Sequence, residues 1–160
     1  MKIIGIIGWK NSGKTYYVQE IIKKLRKKGY SVASIKHAHH EFDVDQPKTD
    51  SFLHRKAGSQ QVIISSSKRW VKITELENNT EKNLTELLQQ LSTTDIVIVE
   101  GFKNDNHPKI EIIKEKSKNY LFNQISNVVA LISDIEVDSN IRKFKKNEIE
   151  LIVKFILNDL

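Results

Sequence analysis

Gly8-Trp9-Lys10-Asn11-Ser12-Gly13-Lys14-Thr15 fits the pattern GxxxxGK[ST] and lies between an apolar run and an amphipathic segment. Such a stretch is a phosphate-binding loop (P-loop) when a strand precedes it and a helix follows. Both flanks meet that condition. Ile3, Ile4, Gly5, Ile6 and Ile7 form a short β-branched run of buried-strand type, and Tyr17, Val18, Ile21, Ile22 and Leu25 recur at helical spacing until Gly29 stops the helix.

Each position has a chemical reason. Gly8 and Gly13 permit backbone conformations that a β-carbon disfavours, so successive amides can curl around phosphate oxygens. A helix starting near Lys14 adds the positive end of its dipole. Lys14 is placed to reach the β- and γ-phosphates, and the Thr15 hydroxyl to ligate Mg²⁺. The expected nucleotide-binding stretch is therefore Gly8, Trp9, Lys10, Asn11, Ser12, Gly13, Lys14 and Thr15, with Tyr16 following.

The 160 residues suffice for one domain with a sizeable core. No internal repeat or linker is visible, so residues 1–160 are expected to form a single nucleotide-binding domain. The absence of cysteine excludes disulfides and thiolate metal sites. No apolar run approaches a membrane span, and residues 3–7 are too short for a signal sequence, which leads to the expectation of a cytoplasmic protein. The net charge of +6 comes from lysines dispersed over helices (Lys23, Lys24, Lys27, Lys28) and a late loop (Lys143, Lys145, Lys146). That is the pattern of a solvated face. Without an aromatic-interleaved basic module it argues against nucleic acid as the main partner.

Downstream, residues 31–36, 61–65, 70–73, 95–100, 110–113 and 127–133 read as strands, and 50–57, 81–91 and 148–157 as helices. Gly58 is the stop of the second helix, and Asp50 or Thr49 its cap. The alternation predicts an α/β fold of P-loop NTPase type: a mostly parallel central sheet flanked by helices, with residues 61–73 as a β-hairpin insertion.

A P-loop needs an acidic partner for its Mg²⁺, supplied from the end of a neighbouring buried strand. Glu100 follows four β-branched residues and fits, with Gly101 letting the next turn pass close to the phosphates. Asp95 lies at the wrong end of the same strand, because ligands gather at carboxyl ends. Asp134, also at a strand's carboxyl end, can accept two hydrogen bonds from guanine, or simply terminate its strand. His37, His39 and His40 lie beside Asp43 and Asp45. They read as phosphate-facing donors, as a solvent-exposed loop or as a Zn²⁺ or Ni²⁺ site, and the lack of a second ligand cluster favours donors. His54 and His107 stand alone and receive no role.

Four motifs in order, GWKNSGKT (8–15), KHAHHEFDVD (36–45), DSFLHRKAGS (50–59) and VEGFK (99–103), resemble the molybdopterin-guanine dinucleotide biosynthesis protein B (MobB) family of P-loop GTP-binding proteins. The resemblance implies GTP and Mg²⁺ as ligands, slow hydrolysis at most, and an adapter role beside the molybdenum cofactor guanylyltransferase, as a homodimer. On that reading Thr15, Glu100 and Asp45 hold the metal, Asp43 or Asp45 polarises water, and Asp134 reads the base. His37, His39, His40, Asp50, Arg55 and Lys103 then contact phosphate or partner. Family members commonly have PGKDS where this chain has Pro47, Lys48, Thr49, Asp50 and Ser51, so both the Gly and the Lys of that turn are replaced. Related dimeric ATPases carry a catalytic lysine directly after the first glycine. Trp9 holds that position here, and the role does not pass to Lys10. A small-molecule kinase with Asp43 as base and a metallochaperone GTPase using the His cluster are the alternatives.

Overall fold

The first strand of the chain, β1 (Lys2–Ile7), is inserted between two strands that come roughly a hundred residues later, and this places the P-loop at mid-sheet. The structure, a computed structural model, describes residues 1–38, 41–77, 80–117 and 119–160. In chain order the elements are β1, α1 (Lys14–Lys27), β2 (Val32–Lys36), α2 (Asp50–Lys56), β3 (Gln61–Ser65), β4 (Trp70–Thr74), α3 (Leu84–Leu88), β5 (Ile96–Glu100), β6 (Lys109–Ile112), β7 (Val128–Ile132), β8 (Arg142–Phe144) and α4 (Ile149–Asn158). They form two compact units, Met1–His37 with Leu84–Leu160, and Ala38–Asn83.

In the first unit six strands lie in the order β2-β5-β1-β6-β7-β8, and every pairing is parallel. A parallel sheet is covered on both faces, which is why its strands carry almost unbroken apolar runs. Period-two alternation then divides the side chains. Ile4, Ile6, Ile98, Ile110 and Ile132 join the buried stripe of α1 (Tyr17, Val18, Ile21, Leu25) and that of α4. Val97 and Val99 pack instead with Leu84 and Phe102 on the opposite face. Among the described residues no helix is long and apolar enough to cross a membrane.

In the second unit β3 and β4 pair antiparallel, from Gln61 with Thr74 to Ser65 with Trp70, as the sequence predicts. The Ser66 hydroxyl closes the turn by accepting the amides of Lys68 and Arg69, each at 3.3 Å. Lys48 sits at φ 74°, a left-handed conformation that glycine adopts more freely than lysine.

Two expectations need correction. The late loop around Lys143 contains the edge strand β8, where only Phe144 is buried and two exposed basic residues hide the pattern. The helix expected over 81–91 is a single α-helical segment of five residues, Leu84–Leu88. Thr49, one of the two caps expected, is the N-cap of α2; its hydroxyl donates to the Gln46 carbonyl at 2.8 Å rather than into the helix.

Candidate phosphate-binding site

The parallel register brings three carboxyl ends together. Glu100, last in β5, pairs with Ile6 on one side and Lys36 on the other, so the loop leaving β1 opens beside both side chains. Gly8 is required there: a β-carbon would stand 2.6 Å from Ser12 Oγ and 2.8 Å from the Ile112 carbonyl oxygen. Gly13, at φ 98°, is the N-cap of α1 with no side-chain cap, and the first turn carries no acidic residue. The free amides and positive dipole end are thus left for an anion. Asn11 takes φ 63°, which its short polar side chain tolerates. Beneath the loop the Ser12 hydroxyl is buried without a hydrogen-bond partner.

Lys14 folds back over the loop and donates to the carbonyls of Gly8 (2.9 Å) and Trp9 (2.8 Å). Partial burial lowers its pKa; Glu100 opposes that shift and Lys36 reinforces it. The Thr15 hydroxyl donates to Glu100 Oε1 at 3.5 Å, and Lys36 Nζ lies 3.6 Å from the same oxygen. A hydroxyl and a carboxylate brought this close at the mouth of a phosphate loop are the oxygen donors that Mg²⁺ takes. The residues present fit that ion.

The β2–β5 junction behind Glu100 is tightly built. The His37 amide donates to the Glu100 carbonyl at 2.8 Å, and the His37 ring stacks on Phe102, with centroids 4.6 Å apart. Gly101 has φ 99°, and a β-carbon on it would meet that of His37 at 2.7 Å. His37 therefore packs the junction. His39 and His40 lie outside the described residues, among which no three His, Cys, Asp or Glu side chains gather as a metal site.

Trp9 donates its indole N–H to the Asn119 carbonyl at 2.9 Å, and the Lys103 ammonium lies 5.8 Å from the indole ring centre. Beside them a cleft of about 480 Å³ runs from Trp9, Lys10, Asn11 and Ser12 to residues between Glu111 and Tyr120. Glu111 is buried and accepts the amides of Leu121 (2.9 Å) and Phe122 (2.8 Å), which anchors the loop that lines this cleft. Burial raises its pKa and the two amides oppose the shift. Tyr16 is exposed and meets Tyr17 edge-on at 5.2 Å.

Asp134, just beyond β7, lies at the same carboxyl edge of the sheet. It accepts the Lys146 amide at 2.9 Å, and the Lys146 ammonium stands 3.4 Å away. The amide, above all, holds its carboxyl below the usual carboxylate range. The Tyr17 hydroxyl donates to the Lys146 carbonyl at 3.4 Å, and burial, with Asp134 adding, pushes its pKa up to about 12.

Asp43, Asp45, Asp50 and Arg55 belong to the second unit. Arg55 binds Asp43 at 2.8 Å and Glu75 at 2.6 Å, and meets both oxygens of Asp45, one of them at 3.1 Å. The hydrogen bonds from Arg55 hold the Asp45 carboxyl below its ordinary range, and the three carboxylates raise the guanidinium pKa further. Asp50 is exposed in the first turn of α2.

Sequence reasoning did not single out Lys36 or Glu111. Lys36 carried a readable signal, since it ends a strand directly beside the one ending in Glu100. Glu111 carried none, as its loop partners follow ten residues later without a pattern.

The family model described as molybdopterin guanine dinucleotide synthesis protein B matches residues 3–134. The chain is similar to the molybdopterin-guanine dinucleotide biosynthesis adapter protein of Escherichia coli K12, 30% identical over 97% of this chain and 91% of that protein. It is similar also to the adapter protein of that name in Haemophilus influenzae, 34% identical over 98% of this chain and 88% of the other. A crystal structure of molybdopterin-guanine biosynthesis protein B superposes with a TM-score of 0.80 at 28% identity, covering 99% of both chains.

Proposed function

The chain belongs to the molybdopterin guanine dinucleotide synthesis protein B family, and from that premise we propose that it is a GTP-binding adapter in the synthesis of molybdopterin guanine dinucleotide. The observation that carries the reading is the convergence of Lys14, Thr15 and Glu100 where the Gly8–Thr15 loop opens. The loop and α1 amides hold the phosphates, and Lys14 exchanges two carbonyl oxygens for phosphate oxygens. Thr15 and Glu100 would hold Mg²⁺, which would neutralise phosphate charge. Asp134 accepts from the guanine edge at the β7 end.

The protein binds its nucleotide more than it consumes it. Asp43 and Asp45, the carboxylates nearest in kind to a general base, are engaged by Arg55, which fits slow hydrolysis at most. The role is then to serve a partner, the guanylyltransferase that joins GMP to molybdopterin, as a cytoplasmic homodimer. Calorimetric titration tests the core of this. GTP should bind in a Mg²⁺-dependent manner and more tightly than ATP, and Lys14→Ala should weaken it at least about ten-fold through loss of charge-assisted bonds. Equal affinity in wild type and Lys14→Ala, or no GTP binding, defeats the proposal.

A further inference from the structure

We infer that Lys36 is the residue by which this site tells a nucleoside triphosphate from a diphosphate: its ammonium, held by Glu100 in the free protein, passes to the γ-phosphate once that carboxylate ligates Mg²⁺. The inference rests on the GTP-binding reading above.

Its basis is a fixed root and a movable tip. Lys36 is the last residue of β2 and the register partner of Glu100, so their side chains leave the sheet on one face. The backbone there is pinned. His37 donates to the Glu100 carbonyl at 2.8 Å, its ring is stacked on Phe102, and Gly101 passes the His37 β-carbon with no room for one of its own. The Lys36 side chain is 64% exposed, whereas that of Glu100 is 13% exposed. One end of the ion pair can therefore swing and the other cannot.

Charge decides where it swings. Glu100 Oε1 has Lys36 at 3.6 Å and the Thr15 hydroxyl at 3.5 Å, while Lys14 is engaged with the carbonyls of Gly8 and Trp9. When Glu100 and Thr15 ligate Mg²⁺, Lys36 loses its carboxylate to a like charge. The nearest anions would then be the phosphate oxygens of the bound nucleotide. Lys14 already serves the loop side of those phosphates, which leaves the γ-oxygens on the β2 side to Lys36. A diphosphate offers it nothing there.

The test is calorimetric affinity for GDP and for a non-hydrolysable GTP analogue, with Mg²⁺ and with EDTA, in wild type, Lys36→Met and Lys36→Arg. With Mg²⁺, Lys36→Met should weaken the GTP analogue about ten-fold and GDP less than about two-fold, and Lys36→Arg should recover most of the loss. In EDTA the Lys36→Met effect on the analogue should shrink below about two-fold, because the lysine then stays on Glu100. Retained GDP binding also reports that the variant is folded. Equal loss for both nucleotides, or none for either, overturns the role of Lys36 and leaves GTP binding standing. Wild-type protein that binds neither nucleotide overturns both.

Discussion

Acid should weaken this protein through one buried imidazole. His107 is only 5% exposed, and neither ring nitrogen has a hydrogen-bond partner among the described residues. Gly5 of β1 lies so close that a β-carbon there would stand 2.5 Å from His107 Nε2. Burial lowers the imidazole pKa from 6.5 to about 4; the Lys109 ammonium adds to this and Asp105 opposes it. The unfolded chain takes up this proton near the ordinary value and the folded protein does not. Between the two values the unfolded state therefore holds more protons, so stability is complete above the higher pKa and falls as pH drops towards the lower one. At 1.36 kcal/mol per unit the whole window contributes about 3 kcal/mol. Urea unfolding of wild type and His107→Leu at about pH 7 and about pH 4.5 isolates this part, since acid effects of the carboxylates are common to both proteins. Wild type should lose about 2 to 3 kcal/mol more than the variant. Any steric cost of leucine beside Gly5 appears at both pH values and cancels. Parallel losses in the two proteins would refute the reasoning.

Lys48→Gly should stabilise the second unit by about 1 kcal/mol, because φ 74° strains a lysine and suits a glycine; a lower calorimetric melting temperature would contradict this. Gly101→Ala should cost about 2 kcal/mol in urea unfolding, from the positive φ and the clash with His37, and should also weaken Mg²⁺-dependent GTP binding by displacing Glu100. Unchanged stability would show that the junction yields. Arg55→Met leaves Asp43, Asp45 and Glu75 without their common cation. Proteolysis within residues 41–60 should accelerate at neutral pH. Equal rates in wild type and variant would mean that Arg55 does not hold this segment.

β1 and β5 were legible because burial on both faces leaves them as nearly unbroken apolar runs. The hairpin was legible because two short β-branched runs are separated by the polar Ser66, Ser67 and Lys68. What escaped was fixed from outside its own segment. β8 has one buried side chain in three and takes its form from pairing with β7. The path of residues 121–122 depends on a buried carboxylate, Glu111, that hydropathy scores as surface. Lys109 is likewise fully buried, and its ammonium donates to the carbonyls of Asp105, His107 and Ser126. In the phosphate site the loop and Glu100 were readable from local pattern. That Asp45 is committed to Arg55 was not, because ion pairing across ten residues leaves no trace in spacing.

The position of β1 between β5 and β6 also sets a timetable for biosynthesis. Lys2 pairs with Ile96, and Ile7 with Glu111. The strand that carries the phosphate loop is made before both of its neighbours, and is paired on each side only once Ile112 has left the ribosome. At about 5 to 20 residues per second that delay is roughly 5 to 20 s, during which an apolar N-terminal segment is unshielded. A nucleotide that binds the assembled loop would stabilise the finished sheet by mass action.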